Sequence, residues 1–417
     1  MAVSGIRRSG VLCMRNKVYI LGGFRSHIGI RYGIFKHVRP EVLGGQVLHQ
    51  VWAAYCQEEA PDLVICGNAV GPGGNIGRLT VLEGGLPESV PALTLDLQCA
   101  SGLAAIDLGA AKIAAGDCDL VVVGGAESAS LAPHRIYHEN DERSQQRNPS
   151  FTTAQFIPGE FGDDAMLLGA ERAAKKAGIS REEADAAAYE SHRRALAARE
   201  AGRLSSVILP LFGSTGDEAV RPRMQPKLLA RAPRVTDFPD GILTAANACT
   251  MNDGAAFLAL AGERWVQAHG GRPLAEVAAC QTIGSDPQCP PLSADAATEK
   301  LLERLGLSYE DVDAFEYNEA FAVISAAFRK NHPLVADRLN QWGGALAYGH
   351  PYGASGAEIM LHLLAILQAK EGQWGVAAIP AAGGVGEAIL VKRISIEAVD
   401  TAGSDTGSEK AEKEGVR

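Results

Sequence analysis

The chain has 417 residues, 47% hydrophobic and 21% charged, with a formal net charge of −10. That length exceeds what one hydrophobic core organises, so two or three packed units are expected, and the acidic balance argues against nucleic acid or an anionic membrane surface as the main partner. The eight cysteines (Cys13, Cys56, Cys66, Cys99, Cys118, Cys249, Cys280, Cys289) form no Cys-x-x-Cys pair. With the histidines scattered, no metal constellation is expected, and the thiols read as free in a reducing, cytoplasmic compartment.

Several Arg and Lys and no acid precede Glu41, and strand-like Val18–Leu21 follows so closely that the start reads as a short basic lead-in. No run reaches the ~18 apolar residues of a membrane span. The next apolar run, Pro61-Asp-Leu-Val-Ile-Cys-Gly-Asn68, ends on a polar Asn. A β-like run, Ala92–Leu97, then leads into Cys99-Ala-Ser-Gly102, which opens a helix with Leu103, Ile106, Ala110 and Ile113 on one face. The strand Leu120–Val123 and the pair Gly124-Gly125 follow.

From about Ala132 to Ala255 the character changes, with a polar stretch, His138–Gln155, a charged helix, Ser180–Ala201, and a basic island of Arg221, Arg223, Lys227, Arg231 and Arg234. This reads as a loop domain over an active face.

The second half repeats the first about 250 residues later: Asp313-Ala-Phe-Glu-Tyr-Asn318 ends on Asn as Pro61–Asn68 does. Gly353-Ala-Ser-Gly356 opens a helix through Ile359, Leu363 and Ile366, followed by Val376–Ile379 and Gly383-Gly384. Such a duplication predicts two similar β/α halves, each around a largely parallel, buried sheet. The expected units are 1–131, completed by about 256–277; the loop domain 132–255; the second half 278–396; and a disordered tail 397–417, poor in apolar residues.

Three residues are candidates for chemistry. Cys99 sits where a strand gives way to a helix, and there the helix dipole and free N–H groups lower a thiol's pKa and can hold an oxyanion. His350 lies in Gly343-Gly-Ala-Leu-Ala-Tyr-Gly-His-Pro-Tyr-Gly-Ala-Ser-Gly356, a rigid loop from which an imidazole can reach a cleft to take or give a proton. Asn318 follows an apolar run, where an amide can hold a water or a carbonyl oxygen.

Together these blocks resemble the thiolase family over nearly the whole chain. Arg25-Ser-His-Ile-Gly29, the Cys99 block, Gly124-Gly-Ala-Glu-Ser-Ala-Ser-Leu-Ala-Pro-His134, Ser180-Arg-Glu-Glu183, Thr244-Ala-Ala-Asn-Ala-Cys-Thr-Met-Asn-Asp-Gly-Ala255, Asn318-Glu-Ala-Phe-Ala322 and the His350 block stand in the family's order. The resemblance implies an α/β fold of two βαβαβαββ halves in a layered αβαβα core, with an inserted loop domain that binds coenzyme A. It also implies that Cys99 is the acylated nucleophile and His350 its base, while Asn318 holds a water that, with His350, binds the thioester oxygen. The backbone N–H groups of Cys99 and Ala382 would form a second oxyanion hole.

The chain departs from the family's pattern in one decisive place. Where the family carries a second reactive cysteine, this sequence reads Pro380-Ala-Ala-Gly-Gly384, and proline has no proton to move. Cys249 stands where the family has serine near the pantetheine, Trp342 replaces an Asn, and Met166-Leu-Leu-Gly-Ala-Glu171 brings Leu167 toward the substrate, changes that suggest an altered pocket around Leu167 and Trp342.

Three readings follow: an acyltransferase whose acceptor needs no second cysteine; a thiolase with a substituted base, drawn from Glu319, Glu387, Cys249 or His332; or a non-catalytic scaffold subunit of a heteromeric acyltransferase. The resemblance further implies an acyl-CoA or acyl-carrier substrate with no permanently bound cofactor, and Arg221 and Arg223 are candidates for the adenosine phosphates. A homodimer or homotetramer is implied too, with a hetero-complex as the alternative.

Overall fold

The computed structural model describes residues 16–145, 150–159 and 162–395. Cys13, the tail 397–417 and part of the polar stretch His138–Gln155 lie outside them.

The first half runs β1 (Val18–Ser26), β2 (Gly29–Ile30), α1 (Pro40–Tyr55), β3 (Leu63–Gly67), α2 (Ile76–Glu83), β4 (Ala92–Leu95), α3 (Ser101–Ala115) and β5 (Leu120–Ser128). The insertion carries β6 (Arg135–Ile136), β7 (Ser150–Phe151), α4 (Ala165–Ala177), α5 (Arg181–Glu200), β8 (Ile208–Leu209) and α6 (Pro226–Arg231). The chain returns through β9 (Asn252–Gly262) and α7 (Glu263–His269). The second half runs β10 (Ala275–Gly284), α8 (Ser293–Leu305), β11 (Ala314–Tyr317), α9 (Ala322–Asn331), α10 (Ala345–Tyr348), α11 (Tyr352–Lys370), β12 (Trp374–Ala381) and β13 (Val385–Arg393).

Strand order is β11-β12-β13-β10-β1-β9-β5-β3-β4. Cut between β10 and β1, this is one pattern used twice: β3, β5, β9 and β1 correspond to β11, β12, β13 and β10. The first half adds β4 at its edge. The two half-sheets pair through Tyr19↔Glu276 and Ile20↔Ala275, with the Leu274 N–H donating to the Ile20 carbonyl at 2.8 Å.

The expectation of largely parallel sheets needs correction. Along the main strand order β4-β3-β5 and β11-β12 are parallel and the other pairings are antiparallel, and off it β8 joins β1 in parallel. The turn from β12 to β13 shows why. Gly383 and Gly384 both take positive φ, 85° and 75°, so three residues reverse the chain, and a tight reversal makes an antiparallel neighbour.

Both faces of each half-sheet are covered. Val121 and Val123 point into a central cluster shared with α3 and α11, while Leu120 and Val122 point the other way, to a cluster with α1. In the second half Ala377 and Ile379 face the centre and Val376 and Ala378 face α8 and α9. The period-two alternation of these all-apolar strands therefore builds three buried layers between helices and sheets.

At the centre, α3 and α11 cross almost backbone to backbone. A Cβ at Gly353 would lie 2.7 Å from the Gly67 carbonyl oxygen, and one at Gly356 would lie 2.0 Å from the Leu103 nitrogen. Only glycine fits such an approach. The contact brings together the starts of the two helices, where Cys99 and His350 sit.

Candidate active site

Cys99 is presented by a strained turn. Gln98 adopts φ 53°, a left-handed conformation that non-glycine residues hold only when their surroundings enforce it. Here the Gln98 N–H donates to Asp96 Oδ1 (2.8 Å), the Leu97 N–H to Ser101 Oγ (2.9 Å), and Ser101 Oγ–H to the Gln98 carbonyl (2.6 Å). The half-buried thiol is thereby held at the mouth of α3.

Burial pushes the Cys99 thiol up to about 12, and the backbone N–H groups of Cys99 and Ala382 act on the sulfur in the opposite sense, stabilising negative charge. Ala382 lies in the β12–β13 turn, so donors from both halves converge on one atom. The helix start alone does not win: desolvation exceeds the stabilisation that the sequence position promised.

His350 stands between α10 and α11, after Gly349 at φ 105°. Its backbone N–H donates to Asn252 Oδ1 (2.9 Å), and its Nδ1 lies 2.6 Å from Ser355 Oγ, one turn into α11. Burial holds the imidazole neutral, pushed down to about 3. Asn318, directly after β11, places its Nδ2 3.3 Å from His350 Nε2, and its buried Oδ1 has no partner among the described residues. An orphaned buried acceptor beside a neutral imidazole is fitted to receive a donor such as water.

Glu127, at the end of β5, accepts from Asn68 Nδ2 (2.9 Å), the Ala69 N–H (2.8 Å) and the Gly353 N–H (3.1 Å). It thus pins the start of α11 to the first half, and burial lifts its carboxyl to about 7. Deeper still, buried Arg25 makes a bidentate pair with Asp217 of the insertion (2.9 Å each) and donates to His362 Nε2 of α11 (3.1 Å). All three chain segments are therefore locked around one cleft.

Segment 248–252 lies between the Asn318 and His350 blocks. Ala248 bridges Phe321, the Cys249 N–H donates to the Ala320 carbonyl (2.9 Å), and Met251 bridges His350. Met166, Leu167 and Cys249 are half-buried against the same apolar cluster. Arg221 and Arg223 lie exposed on the insertion and are not among the groups that act on Cys99 or His350. Arg221 instead helps burial hold His192 of α5 neutral, pushed down to about 4. Trp342, read from sequence as a pocket residue, packs in the central cluster, its ring under Arg203 at 5.5 Å.

The possible substitutes for the missing cysteine separate clearly. Glu319 is engaged by the Ser191 and Ser325 hydroxyls. His332 stacks on Tyr309 and pairs with Asp295 (3.1 Å). Glu387 accepts from Thr282 (2.5 Å) and interacts with Asp107. Only Cys249 responds to charge at Cys99. Pro380 itself is opposite Gly386 in β12, beyond the end of β11 pairing at Ala378, so its missing N–H breaks no bond on that side.

Residue-level reading of the sequence missed Ser355, Asn252, Glu127 and Tyr352. Tyr352 sets its ring against His350 at 4.8 Å and responds to charge at both Cys249 and Cys99. All four lie inside motifs already singled out, but their contacts join segments up to 226 residues apart.

The family description "Thiolase, N-terminal domain" matches residues 18–264 and "Thiolase, C-terminal domain" matches residues 271–393. The Bacillus subtilis protein named "Putative acetyl-CoA C-acetyltransferase YhfS" is 35% identical over 373 residues, covering 89% of this chain and 98% of its own length. Staphylococcus aureus VraB, which bears the same description, is 34% identical over 91% of this chain and all of its own. A crystal structure of the Bacillus anthracis acetyl-CoA acetyltransferase superposes with a TM-score of 0.85 at 30% identity, covering 91% of this chain and 99% of that one. The duplicated halves, the site between them and these matches agree: the chain belongs to the thiolase family.

Proposed function

We propose that this protein is an acyltransferase that takes an acyl group from an acyl-CoA, or a carrier-bound donor, onto Cys99 as a thioester and passes it to an acceptor without a thiol at position 380. The observation that carries the reading is the convergence on Cys99 Sγ of N–H groups from both halves, Cys99 and Ala382.

In the resting protein both partners are neutral, Cys99 as thiol and His350 as imidazole. As the sulfur attacks the donor carbonyl, the thiol proton passes to His350, which Ser355 orients, and then to the departing CoA sulfur. One oxyanion rests on the Cys99 and Ala382 N–H groups, the other on His350 and an Asn318-held water. The acyl thioester is then attacked by the acceptor, and the sulfur leaves as thiol.

The relatives' names, acetyl-CoA C-acetyltransferase, support a CoA thioester as the substrate class. In this reading segment 132–255 is the CoA-binding insertion, completing halves 1–131 with 256–277 and 278–396. Met166, Leu167 and Cys249 line the acyl and pantetheine path, and Arg221 and Arg223 meet the adenosine phosphates. No permanently bound cofactor is needed. The protein works in the cytoplasm as a homodimer or homotetramer. No described helix is long and apolar enough to cross a membrane.

Isotope exchange between acyl-CoA and free labelled CoA tests the proposal, because it needs acylation and its reversal but no proton at carbon. Exchange is expected in the wild type and absent in Cys99→Ala. Exchange that survives Cys99→Ala, or none with any acyl donor, overturns it.

A further inference from the structure

We propose that Cys249 is the proton carrier for carbon–carbon chemistry at this site, doing from the segment before β9 what position 380 cannot do from β12. The inference rests on acylation of Cys99 and adds the identity of the second thiol.

Position comes first. Cys249 is held by the bridge of Ala248 to Phe321, by its own N–H on the Ala320 carbonyl at 2.9 Å, and by the bridge of Met251 to His350. Its backbone is therefore fastened on one side to the loop of Asn318 and on the other to the loop of His350. Beside that loop lies the buried Oδ1 of Asn318, an acceptor without a partner among the described residues. Tyr352, whose ring leans on His350, feels charge at both Cys249 and Cys99.

Chemistry comes second. Burial, followed by charge at Cys99, keeps the Cys249 thiol protonated. That is the form an acid needs in the cleavage direction. The Cys99 thiol gives its proton to His350 as its sulfur bonds to the keto carbon of a 3-oxoacyl-CoA, the bond between Cα and that carbon breaks, and its electron pair remains on Cα. Cα takes the Cys249 proton, giving acetyl-CoA or its α-substituted analogue and a Cys249 thiolate, with the shortened acyl group on Cys99. Incoming CoA-SH surrenders its proton to Cys249, and the CoA thiolate attacks the acyl-Cys99 carbonyl, releasing a shortened acyl-CoA and the Cys99 sulfur, which takes its proton back from His350. Condensation is the reverse: with Cys99 acylated, its charge no longer opposes a Cys249 thiolate, which removes the α-proton. The other acids and bases considered are tied elsewhere: Glu319 by two serines, Glu387 by Thr282, His332 by Asp295.

The test is α-proton exchange. The full chain is incubated with acetyl-CoA in D2O, and deuterium in recovered acetyl-CoA is read by mass spectrometry while acyl-enzyme is read by intact mass. The wild type exchanges; in Cys249→Ala and the near-isosteric Cys249→Ser the exchange per mole of acyl-enzyme falls roughly 10²-fold or more. Adding Pro380→Cys to Cys249→Ala restores exchange. The inference is overturned if either Cys249 variant exchanges at the wild-type rate, if the wild type forms the adduct without exchanging, or if a thiol at 380 restores nothing. A wild type that forms no adduct refutes acylation of Cys99 itself.

Discussion

The crossing of α3 and α11 offers a sharp perturbation because it fixes the distance between the proposed nucleophile, Cys99, and its proposed base, His350, without touching either. A methyl added by Gly356→Ala meets the Leu103 nitrogen at 2.0 Å and Leu103 Cβ at 2.6 Å, whereas real contacts stop near 3.0 Å. The obstacle is helix backbone, which cannot swing aside as a flexible side chain would, so α3 must retreat from α11 by about 1 Å. Overpacking of this kind costs about 1–3 kcal/mol of stability. Cys99 precedes α3 and His350 precedes α11, so the retreat opens the gap between them, and a misplacement of about 1 Å costs ~10²-fold in rate. The assay is a rapid-quench time course of acyl-enzyme formation by intact mass, with a thermal melt on the same sample. Gly284→Ala, whose added methyl enters open space, is the control and keeps wild-type values. A Gly356→Ala protein that melts lower but acylates at the wild-type rate refutes the idea that this crossing sets the site.

Other outcomes follow from the same geometry. His350→Ala lowers acylation by roughly 10²–10⁴-fold, and Ser355→Ala, which removes one orienting hydrogen bond, by about fivefold for ~1 kcal/mol; equal rates in wild type and His350→Ala count against the assigned base. In the Cys249→Ala background Pro380→Cys raises acetoacetyl-CoA cleavage by roughly 10²-fold or more, since it restores an acid/base thiol; a spectrophotometric thiolysis assay checks this, and an unchanged rate counts against it. Buried Glu358 and Glu387 have native carboxyls lifted to about 8, above an ordinary value of 4.5. Their stabilising contribution is therefore full below pH 4.5 and lost as pH rises toward 8, at up to ~1.4 kcal/mol per pH unit for each group. Denaturant melts from about pH 5 to about pH 8 should show Glu358→Gln flattening the decline; a wild-type slope in the variant contradicts the assignment.

Much of the fold was legible because the duplication is written in local pattern. The helices after Cys99 and after Pro351 carry apolar residues at helical spacing, and the runs ending at Asn68 and Asn318 are equivalent strands in the two half-sheets. Strand direction was not legible, since an apolar run such as Asn252–Gly262 reads the same whether its neighbours are parallel or antiparallel. Among the proposed site residues, Cys99, His350 and Asn318 were visible from motif and position. Asn252 and Glu127 were not, because what matters about them is which distant backbone they meet, nor was Ser355, whose bond to the His350 ring depends on how the loop turns into α11. The sequence reading also assumed that a helix start activates a thiol, whereas burial at Cys99 outweighs it. Trp342 misled for a related reason: a large ring near His350 in sequence packs in the core rather than in the cleft.

The central claim is that the acyl group rests on Cys99. Quenching the protein with an acyl-CoA in acid, digesting it and locating the acyl mass by peptide sequencing answers this directly. The account predicts one acyl group, on the peptide containing Cys99 and lost with Cys99→Ala. An adduct found on Cys249 or elsewhere, with Cys99 unmodified, contradicts it.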